Sequence, residues 1–257
     1  MAATCVHEFV GCDSRHLADA LKAIWRKPSC PEAWMLWRAA SFRKTQGTAM
    51  TIRRAMALNA VFEHSQLVSI PGELLVGTGF LGRNLPKEQV PAEALEQAKK
   101  ELAVIGERGF GEHANHHAGD YEKLLRLGFG GLRREIEASM PRQDEYGKVF
   151  LESLRVAVDG ATLLLRRWAA LTRERSGTAG TFAPLMQFQA EMLDRISTEA
   201  PETFWEALQL VLAYHYMMQQ DNRGAMAFGR MDKYLYPFYK KDIEQGRGTP
   251  ETAQALL

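Results

Sequence analysis

A long apolar pattern occupies residues 201–216, where hydrophobic side chains cover more than one face of a helix. They follow the spacing of three and four residues along one side and fill much of the other: Phe204, Trp205, Ala207, Leu208, Leu210, Val211, Leu212, Tyr214 and His215. A helix without a polar face is usually buried inside a larger body. We therefore expect an interior helix, and an isolated chain that lacks its partners is expected to expose apolar surface and bind a hydrophobic dye.

The residues after this helix predict a break, a short strand and an aromatic segment. The break falls at 222–224, and the apolar run at 225–228 is typical of a buried strand or extended segment. Residues 229–232 are polar, whereas 233–239 are rich in aromatic side chains. The whole stretch from 201 to 239 is therefore predicted to lie in the interior of a larger body.

Helical periodicity extends over most of the remaining chain, so the predicted fold class is predominantly α-helical with a few short strands. The predicted helices lie at 14–46 (two, interrupted by prolines), 53–68, 91–107, 121–140 (loosened by glycines at 128, 130 and 131), 144–175, 184–196 and from 249 onward. Residues 74–76 predict a short buried strand after a Pro-Gly stop. The last helix begins with Thr249 as N-cap and Pro250 at its first position. It reaches the end of the chain after barely two turns, so we expect a truncated sequence.

Composition and charge argue against several classes of protein. The chain has 257 residues, 46% of them hydrophobic, and its 32 basic and 31 acidic residues leave a net charge of +1. This balance argues against a general nucleic-acid binder, and no run approaches the roughly eighteen apolar residues of a membrane span. The N-terminal residues lack the pattern of a secretory signal. We therefore expect a cytoplasmic protein without nucleic-acid or membrane partners.

Two further patterns carry little functional information. The three cysteines, at positions 5, 12 and 30, form no CxxC pair, so neither a disulfide framework nor a zinc site is predicted. Residues 77–82 match G-x-G-x-x-G by letter, but no helix follows them, as a dinucleotide site would require. We interpret these glycines as turn residues.

A cluster of three histidines lies between residues 109 and 120. His113, His116 and His117 have three open interpretations. With Glu112 or Asp120 they would suit a metal ion; they would also suit a pocket in which a histidine donates a hydrogen bond or a proton; or they are solvated loop residues. Asp120 is placed as the N-cap or an early acid of the next helix.

Four segments of the chain, taken together, resemble the N-terminal part of the glycyl radical enzymes, the pyruvate formate-lyase family. They are 54–77, ending in I-P-G-E-L-L-V-G; 115–128, with N-H-H-A-G-D-Y-E-K-L-L; 201–209, P-E-T-F-W-E-A-L-Q; and 228–239, F-G-R-M-D-K-Y-L-Y-P-F-Y. Gly119 stands where the family commonly has proline. The order and spacing make the match specific over most of 50–257, whereas 1–45 is poorly covered. Residues 1–257 are thus expected to form the N-terminal part of a single domain.

The resemblance implies a fold and a chemistry. The fold is an α/β barrel of two parallel half-sheets wrapped in helices. The chemistry starts from a backbone glycyl radical, which an iron–sulfur, S-adenosylmethionine-dependent activating enzyme installs, and which makes a thiyl radical on a mid-chain cysteine. The partners implied are a small polar substrate, the activating enzyme and a second copy in a homodimer, and no cofactor is implied to bind directly. Family members act as formate acetyltransferases, diol dehydratases, or carbon–carbon or carbon–nitrogen lyases.

Neither essential family residue matches a position in this sequence. The three cysteines lie too early, and no segment resembles the C-terminal glycine loop. The chain is therefore expected to be an N-terminal fragment of a glycyl radical enzyme, inactive alone. The alternative is a non-catalytic helical binding or scaffold protein derived from that family.

The resemblance also assigns candidate site residues. His116, four positions before the Asp-Tyr pair, is the best match to a substrate-contacting histidine of the family, and His117 is the second choice. Asp120 is assigned either a substrate contact or the helix cap. Four further residues receive structural roles, with an ion pair at the barrel rim as the expected role of the last two: Glu73, Gly229, Arg230 and Asp232.

Overall fold

The structure, a computed structural model, describes residues 15–79, 85–107, 117–221 and 226–257, with the side chain of His117 excepted. These residues form ten α-helices: α1 Arg15–Trp25, α2 Trp34–Lys44, α3 Met50–His64, α4 Ala92–Val104, α5 Tyr121–Ser139, α6 Glu145–Ser176, α7 Ala183–Ile196, α8 Phe204–Gln220, α9 Met231–Glu244 and α10 Pro250–Leu256. Two pairs of two-residue strands complete the described part: β1 Ser29–Cys30 antiparallel to β2 Leu85–Pro86, and β3 His117–Ala118 parallel to β4 Met226–Ala227. The predominantly helical fold class is confirmed.

Local sequence signals set the helix ends. The Asp144 side chain accepts a hydrogen bond from Gly147 N at the start of α6, and Thr203 and Glu206 form a reciprocal capping box at the start of α8. Thr249 and Thr252 form a similar box at α10. The end of α3 differs from prediction: the helix ends at His64 rather than near 68, because Ser65 is extended and the chain turns inward there.

The helix α8 lies at the centre of the main core. It contacts α3, α5, α6, α7, α9 and α10, and Leu210 and Ala213 are fully buried. The prediction of an interior helix is confirmed, but the expectation that this chain would leave the helix exposed is wrong, since helices of the same chain cover it. The large apolar side chains that stay exposed include several on α6: Tyr146, Phe150, Leu154 and Leu163.

Residues 65–79 run through the interior without regular structure, and side chains of α7 and α8 satisfy their backbone. Gln209 accepts from Val76 N at 2.7 Å and donates to Val76 O at 3.0 Å. Gln189 donates to the carbonyl of Glu73, and the Trp205 indole donates to the carbonyl of Leu74 at 2.7 Å. The predicted strand at 74–76 is therefore wrong, because side-chain amides occupy the backbone groups that a neighbouring strand would use.

The helix α6 holds the first half of the same buried segment. The Trp168 indole donates to Val68 O at 3.1 Å, and Arg175 donates to Ser69 O at 3.1 Å. Arg167 donates to Ser65 O at 3.1 Å. These contacts fix the path of the chain between α3 and the turn at residues 70–78.

Glu73 organises that turn through its buried carboxylate. It accepts hydrogen bonds from Ile70 N at 2.9 Å, Thr78 N at 3.2 Å and the Thr78 hydroxyl at 2.5 Å. Burial raises the pKa of Glu73, and these donors partly offset that effect. The hydrogen bonds of the carboxylate to Ile70 and Thr78 stay within its own segment, which suits the structural role that the resemblance assigns.

Gly128 bends α5, as the cluster of glycines predicts. Its φ of 63° lies in the left-handed region, and a Cβ atom there would stand 2.5 Å from the backbone carbon of Glu199. The bend lets Gly130 N donate to Thr198 O at 2.7 Å. The two halves of α5 thereby pack against the turn that follows α7.

We expect Gln209→Leu to lower the free energy of unfolding by about 3 kcal/mol, because an unsatisfied buried donor or acceptor costs about 1–3 kcal/mol and this change leaves one of each. Urea denaturation followed by circular dichroism measures the effect. Gln97→Leu on the exposed face of α4 is the matched control and should stay within about 0.5 kcal/mol of wild type. Equal effects of the two changes would show that the Val76 contacts do not hold the segment.

Candidate functional site

The parallel strands β3 and β4 bring two of the family-like segments together: β3 lies within 115–128, and β4 directly precedes 228–239. His117 pairs with Met226 and Ala118 with Ala227. Immediately after the pairing, a Cβ built on Gly229 would lie 3.6 Å from the Ala118 side chain, and the φ of Gly229 is 69°. We call this edge, residues 117–121 and 226–232, the strand rim. The predicted strand at 225–228 is confirmed for Met226 and Ala227, although Ala227 is exposed rather than buried.

Asp120 caps the helix that leaves the rim. Its Oδ1 accepts a hydrogen bond from Lys123 N at 3.0 Å, which satisfies one of the free N–H groups of the first turn of α5. The carboxylate is exposed and so stays accessible from solvent while it caps. The sequence left open whether Asp120 caps the helix or contacts the substrate, and the structure shows it as the helix cap.

A buried tyrosine–histidine pair connects the rim residue Tyr121 to α8. The Tyr121 hydroxyl stands 2.9 Å from Nδ1 of His215, and Nε2 of the same ring lies 3.2 Å from the Gln219 side chain. Tyr121 and His215 are 2% and 7% exposed. This pair joins the first residue of α5 to the middle of α8.

Aromatic rings surround the pair on several sides. Phe228 stacks on His215 with centroids 4.1 Å apart, and Tyr234 stacks on Tyr121 at 5.6 Å. Tyr214 meets Tyr121 edge-on at 5.4 Å. The Tyr234 hydroxyl donates to Phe228 O at 2.8 Å, so the same rings also anchor the backbone just after β4.

Burial sets the protonation of this cluster. Desolvation raises the pKa of Tyr121 and raises that of Tyr234 to about 12. Desolvation also raises the pKa of Tyr214, with a further contribution from the charge of Asp120. The pKa of His215 is lowered, again by desolvation. The pair is consequently a neutral phenol beside a neutral imidazole at pH 7.

Arg230 and Asp232 form an ion pair on the surface of the rim. Arg230 Nε donates to Asp232 Oδ1 at 2.8 Å and Nη2 donates to Oδ2 at 2.6 Å. This hydrogen bond lowers the pKa of Asp232. Both side chains are exposed, and exposed pairs add little stability. Their assignment as a structural pair stays a prediction.

Several candidate residues lie outside the part of the chain that the structure describes. His113, His116 and Glu112 fall within 108–116, and for His117 the structure describes the backbone alone. The metal interpretation of this cluster is therefore untested. The pairing of His215 with Tyr121 was not predicted from the sequence. Its signal was a single histidine among the apolar positions of a buried helix.

An apolar groove of about 470 Å³ opens between α3, α5, α6 and α8. Its lining includes Phe129, Tyr214, Met217 and Met218, with Lys123 among its few charged residues. A small polar molecule would lose hydrogen bonds to water that the mostly apolar lining replaces only in part. We therefore place the candidate site at the strand rim rather than in this groove.

Among the helices within the described ranges, none combines the length and apolar composition needed to cross a lipid bilayer.

We expect Asp120→Ala to destabilise the fold by about 1 kcal/mol through loss of the cap, and Asp120→Asn to cost far less because asparagine caps equally well. Thermal unfolding of the two variants measures the difference. Asp144→Ala, which removes the corresponding cap of α6, is the reference for the loss of stability that a missing cap causes. An Asn variant as unstable as the Ala variant would show that the negative charge, not the cap, matters.

We expect His215 to make the fold less stable below pH 6.5. In the unfolded chain His215 binds a proton near pH 6.5, whereas burial lowers its pKa in the folded protein. The contribution of the neutral ring to the free energy of unfolding is therefore fully present above pH 6.5 and is lost as the pH falls toward the folded pKa. The slope from one such group is about 1.4 kcal/mol per pH unit at most. His215→Gln should remove this part of the slope in urea titrations between pH 5 and 7, whereas exposed His64→Gln should retain it. Parallel pH profiles for wild type and His215→Gln would contradict the assignment.

Comparison with known proteins identifies several to which this chain is similar. A profile of the family described as pyruvate formate lyase-like matches residues 87–257. The chain is 34% identical over 138 residues to the probable dehydratase YbiW of Escherichia coli, covering 50% of this chain and 17% of that protein. It is 30% identical over 174 residues to the isethionate sulfite-lyase of Oleidesulfovibrio alaskensis, covering 63% and 21%.

A solved structure shows the same fold. The crystal structure of a glycyl radical enzyme from Archaeoglobus fulgidus superposes with a TM-score of 0.77 at 23% identity, over 94% of this chain and 39% of that one. The helical architecture thus corresponds to part of that enzyme's barrel. The matches to the two curated relatives span about a fifth of their length.

Proposed function

The chain belongs to the pyruvate formate lyase-like family of glycyl radical enzymes, and we propose that it supplies the N-terminal part of such an enzyme as part of a single domain. The observation that carries the proposal is the strand rim, where segment 115–128 pairs in parallel with the short strand that directly precedes segment 228–239. In a barrel, the ends of neighbouring parallel strands are where loops gather around a substrate. This chain would then form one wall of the substrate pocket.

The radical chemistry itself would reside in residues that have no counterpart here. A glycyl radical, installed by the activating enzyme, supplies hydrogen-atom abstraction through a cysteine thiyl. Of the three cysteines, Cys30 lies in β1 against Leu85 and is partly buried, whereas Cys5 and Cys12 fall outside the described residues. We therefore propose that this chain is inactive alone. The family resemblance further implies that the complete enzyme acts as a homodimer.

The chain's own residues would bind and orient a small polar substrate. His116 directly precedes β3 in the sequence, His117 is the first residue of that strand, and Asp120 follows it with an exposed carboxylate. An imidazole N–H would donate to a hydroxyl or sulfonate oxygen, and the Asp120 carboxylate would accept from a hydroxyl. Substrates of the relatives' kind, such as isethionate, fit this chemistry. Asp120 would serve both as cap and as contact, since capping uses Oδ1.

Four residues would support this wall without touching the substrate. Glu73 shapes the buried turn at 70–78, and Gly229 lets the chain pass close to Ala118. Arg230 and Asp232 would stiffen the rim through their ion pair. Residues 116–120 would thus bind the substrate, whereas these four residues would hold the wall in place.

One observation favours the alternative, a non-catalytic helical binding or scaffold protein derived from the family. The helix α8 is covered within this chain, so the described core does not need further segments to bury it. Such a protein would use the same rim to bind a small molecule without turnover. Reading the DNA beyond the codon for Leu257 discriminates the two: a continuing frame with a cysteine loop and a glycine loop supports the enzyme.

We expect isethionate or a small diol to bind this chain at the rim weakly, in the millimolar range (a free energy of about −4 kcal/mol), because one wall makes only part of the contacts. Binding is measured by ligand-observed NMR. Combined His116→Ala and His117→Ala changes should abolish it, and the exposed change His64→Ala should leave it unchanged. Binding that survives the double change would overturn the assignment of the rim, whereas the downstream DNA tests the enzyme proposal separately.

A further inference from the structure

We propose that Tyr121 and His215 form a one-electron redox pair, in which the buried phenol loses an electron and passes its proton to the imidazole. The pair joins α5 to α8, and the hydroxyl oxygen lies 2.9 Å from Nδ1. Both side chains are buried. This inference goes beyond the proposed function and does not rest on it.

The short distance between the Tyr121 hydroxyl and Nδ1 allows a proton transfer that lowers the cost of oxidising a buried phenol. Removing one electron creates a positive charge on a ring that is out of contact with water, which is costly unless the charge is compensated. A phenol that has lost an electron is a strong acid, so a base at hydrogen-bond distance takes the proton at once. The phenol then becomes a neutral radical, and the charge moves to the imidazole.

The protonation states before oxidation suit this transfer. Burial raises the pKa of Tyr121 and lowers that of His215, so the phenol keeps its proton and the imidazole has a free lone pair. Nδ1 accepts in the tautomer that carries its proton on Nε2. Nε2 lies 3.2 Å from the amide nitrogen of Gln219. A 180° rotation of this amide brings its oxygen to the same place, where it accepts the Nε2 proton and selects the tautomer with a free lone pair on Nδ1.

The neighbouring rings stabilise both products. Phe228 stacks on His215 with centroids 4.1 Å apart, a separation at which an aromatic face attracts a cation. Tyr234 and Tyr214 lie 5.6 and 5.4 Å from the Tyr121 ring and are only partly buried. They offer the electron a route toward the surface, while the surrounding packing shields the radical from other solutes.

The step balances with a radical oxidant. The O–H bond of Tyr121 breaks; its electron reduces a one-electron oxidant, such as an oxygen-centred radical, to the anion; and its proton goes to Nδ1. The products are a neutral phenoxyl radical and an imidazolium. One electron from a thiolate, with return of the proton, restores the pair. The site would thus hold one oxidising equivalent temporarily.

Azidyl radicals generated by pulse radiolysis, which are reduced to azide, provide the test on the intact chain. The yield and lifetime of phenoxyl are followed by absorbance and by electron paramagnetic resonance after rapid freezing. We expect a long-lived phenoxyl in wild type that is lost in Tyr121→Phe. Tyr236→Phe, a change at an exposed tyrosine, is the matched control and should keep it.

Two further variants distinguish the effect of losing the proton-accepting base from the effect of disturbed packing. His215→Gln leaves Tyr121 in place without a base and should shorten the lifetime several-fold, whereas Gln219→Glu should lengthen it by holding the Nε2 proton. Near-ultraviolet circular dichroism confirms that each variant is folded; if either Tyr121→Phe or His215→Gln unfolds, the Gln219→Glu result decides. Absence of a long-lived phenoxyl in wild type, or equal lifetimes in wild type and the folded variants, would overturn the proposal.

Discussion

The buried backbone of residues 65–79 is the constraint on which the rest of the fold depends. This segment crosses the interior without a helix or a sheet of its own, and each unpaired group there would cost about 1–3 kcal/mol. Trp168, Gln189 and Gln209 supply hydrogen bonds to it from α6, α7 and α8. Because three helices must reach one segment, their relative positions are set by hydrogen-bond geometry as well as by apolar packing.

The helix α8 links this buried segment to the strand rim. Its first turns carry Trp205 and Gln209, which bind the segment, and its later turns carry His215, which binds Tyr121. A helix is a rigid connection between such sites. The position of β3 and of the α5 N-terminus therefore depends on the same element that holds the segment. This dependence explains why a helix with so little polar surface still has buried glutamines and a histidine.

Much of the secondary structure was predictable because its signals are local. Apolar spacing located the helices, and caps such as Asp120 and Thr249 lie where the side chain meets the backbone three residues on. The strand predicted at 74–76 failed for a non-local reason: an apolar run is equally compatible with a backbone paired to Gln209, 133 residues away. The spacing that placed His215 in α8 likewise carried no information about its partner, 94 residues earlier.

The sequence by itself determined the helical class, the family resemblance and the absence of a matching cysteine and glycine loop, because each follows from composition, periodicity or short motifs. The tertiary structure decided that α8 is covered within the chain, that β3 pairs with β4, and that Tyr121 meets His215. These are contacts between segments distant in sequence, and their geometry depends on how the helices pack around the buried segment. Periodicity gives the face of a helix that is buried, but only packing gives the partner on that face.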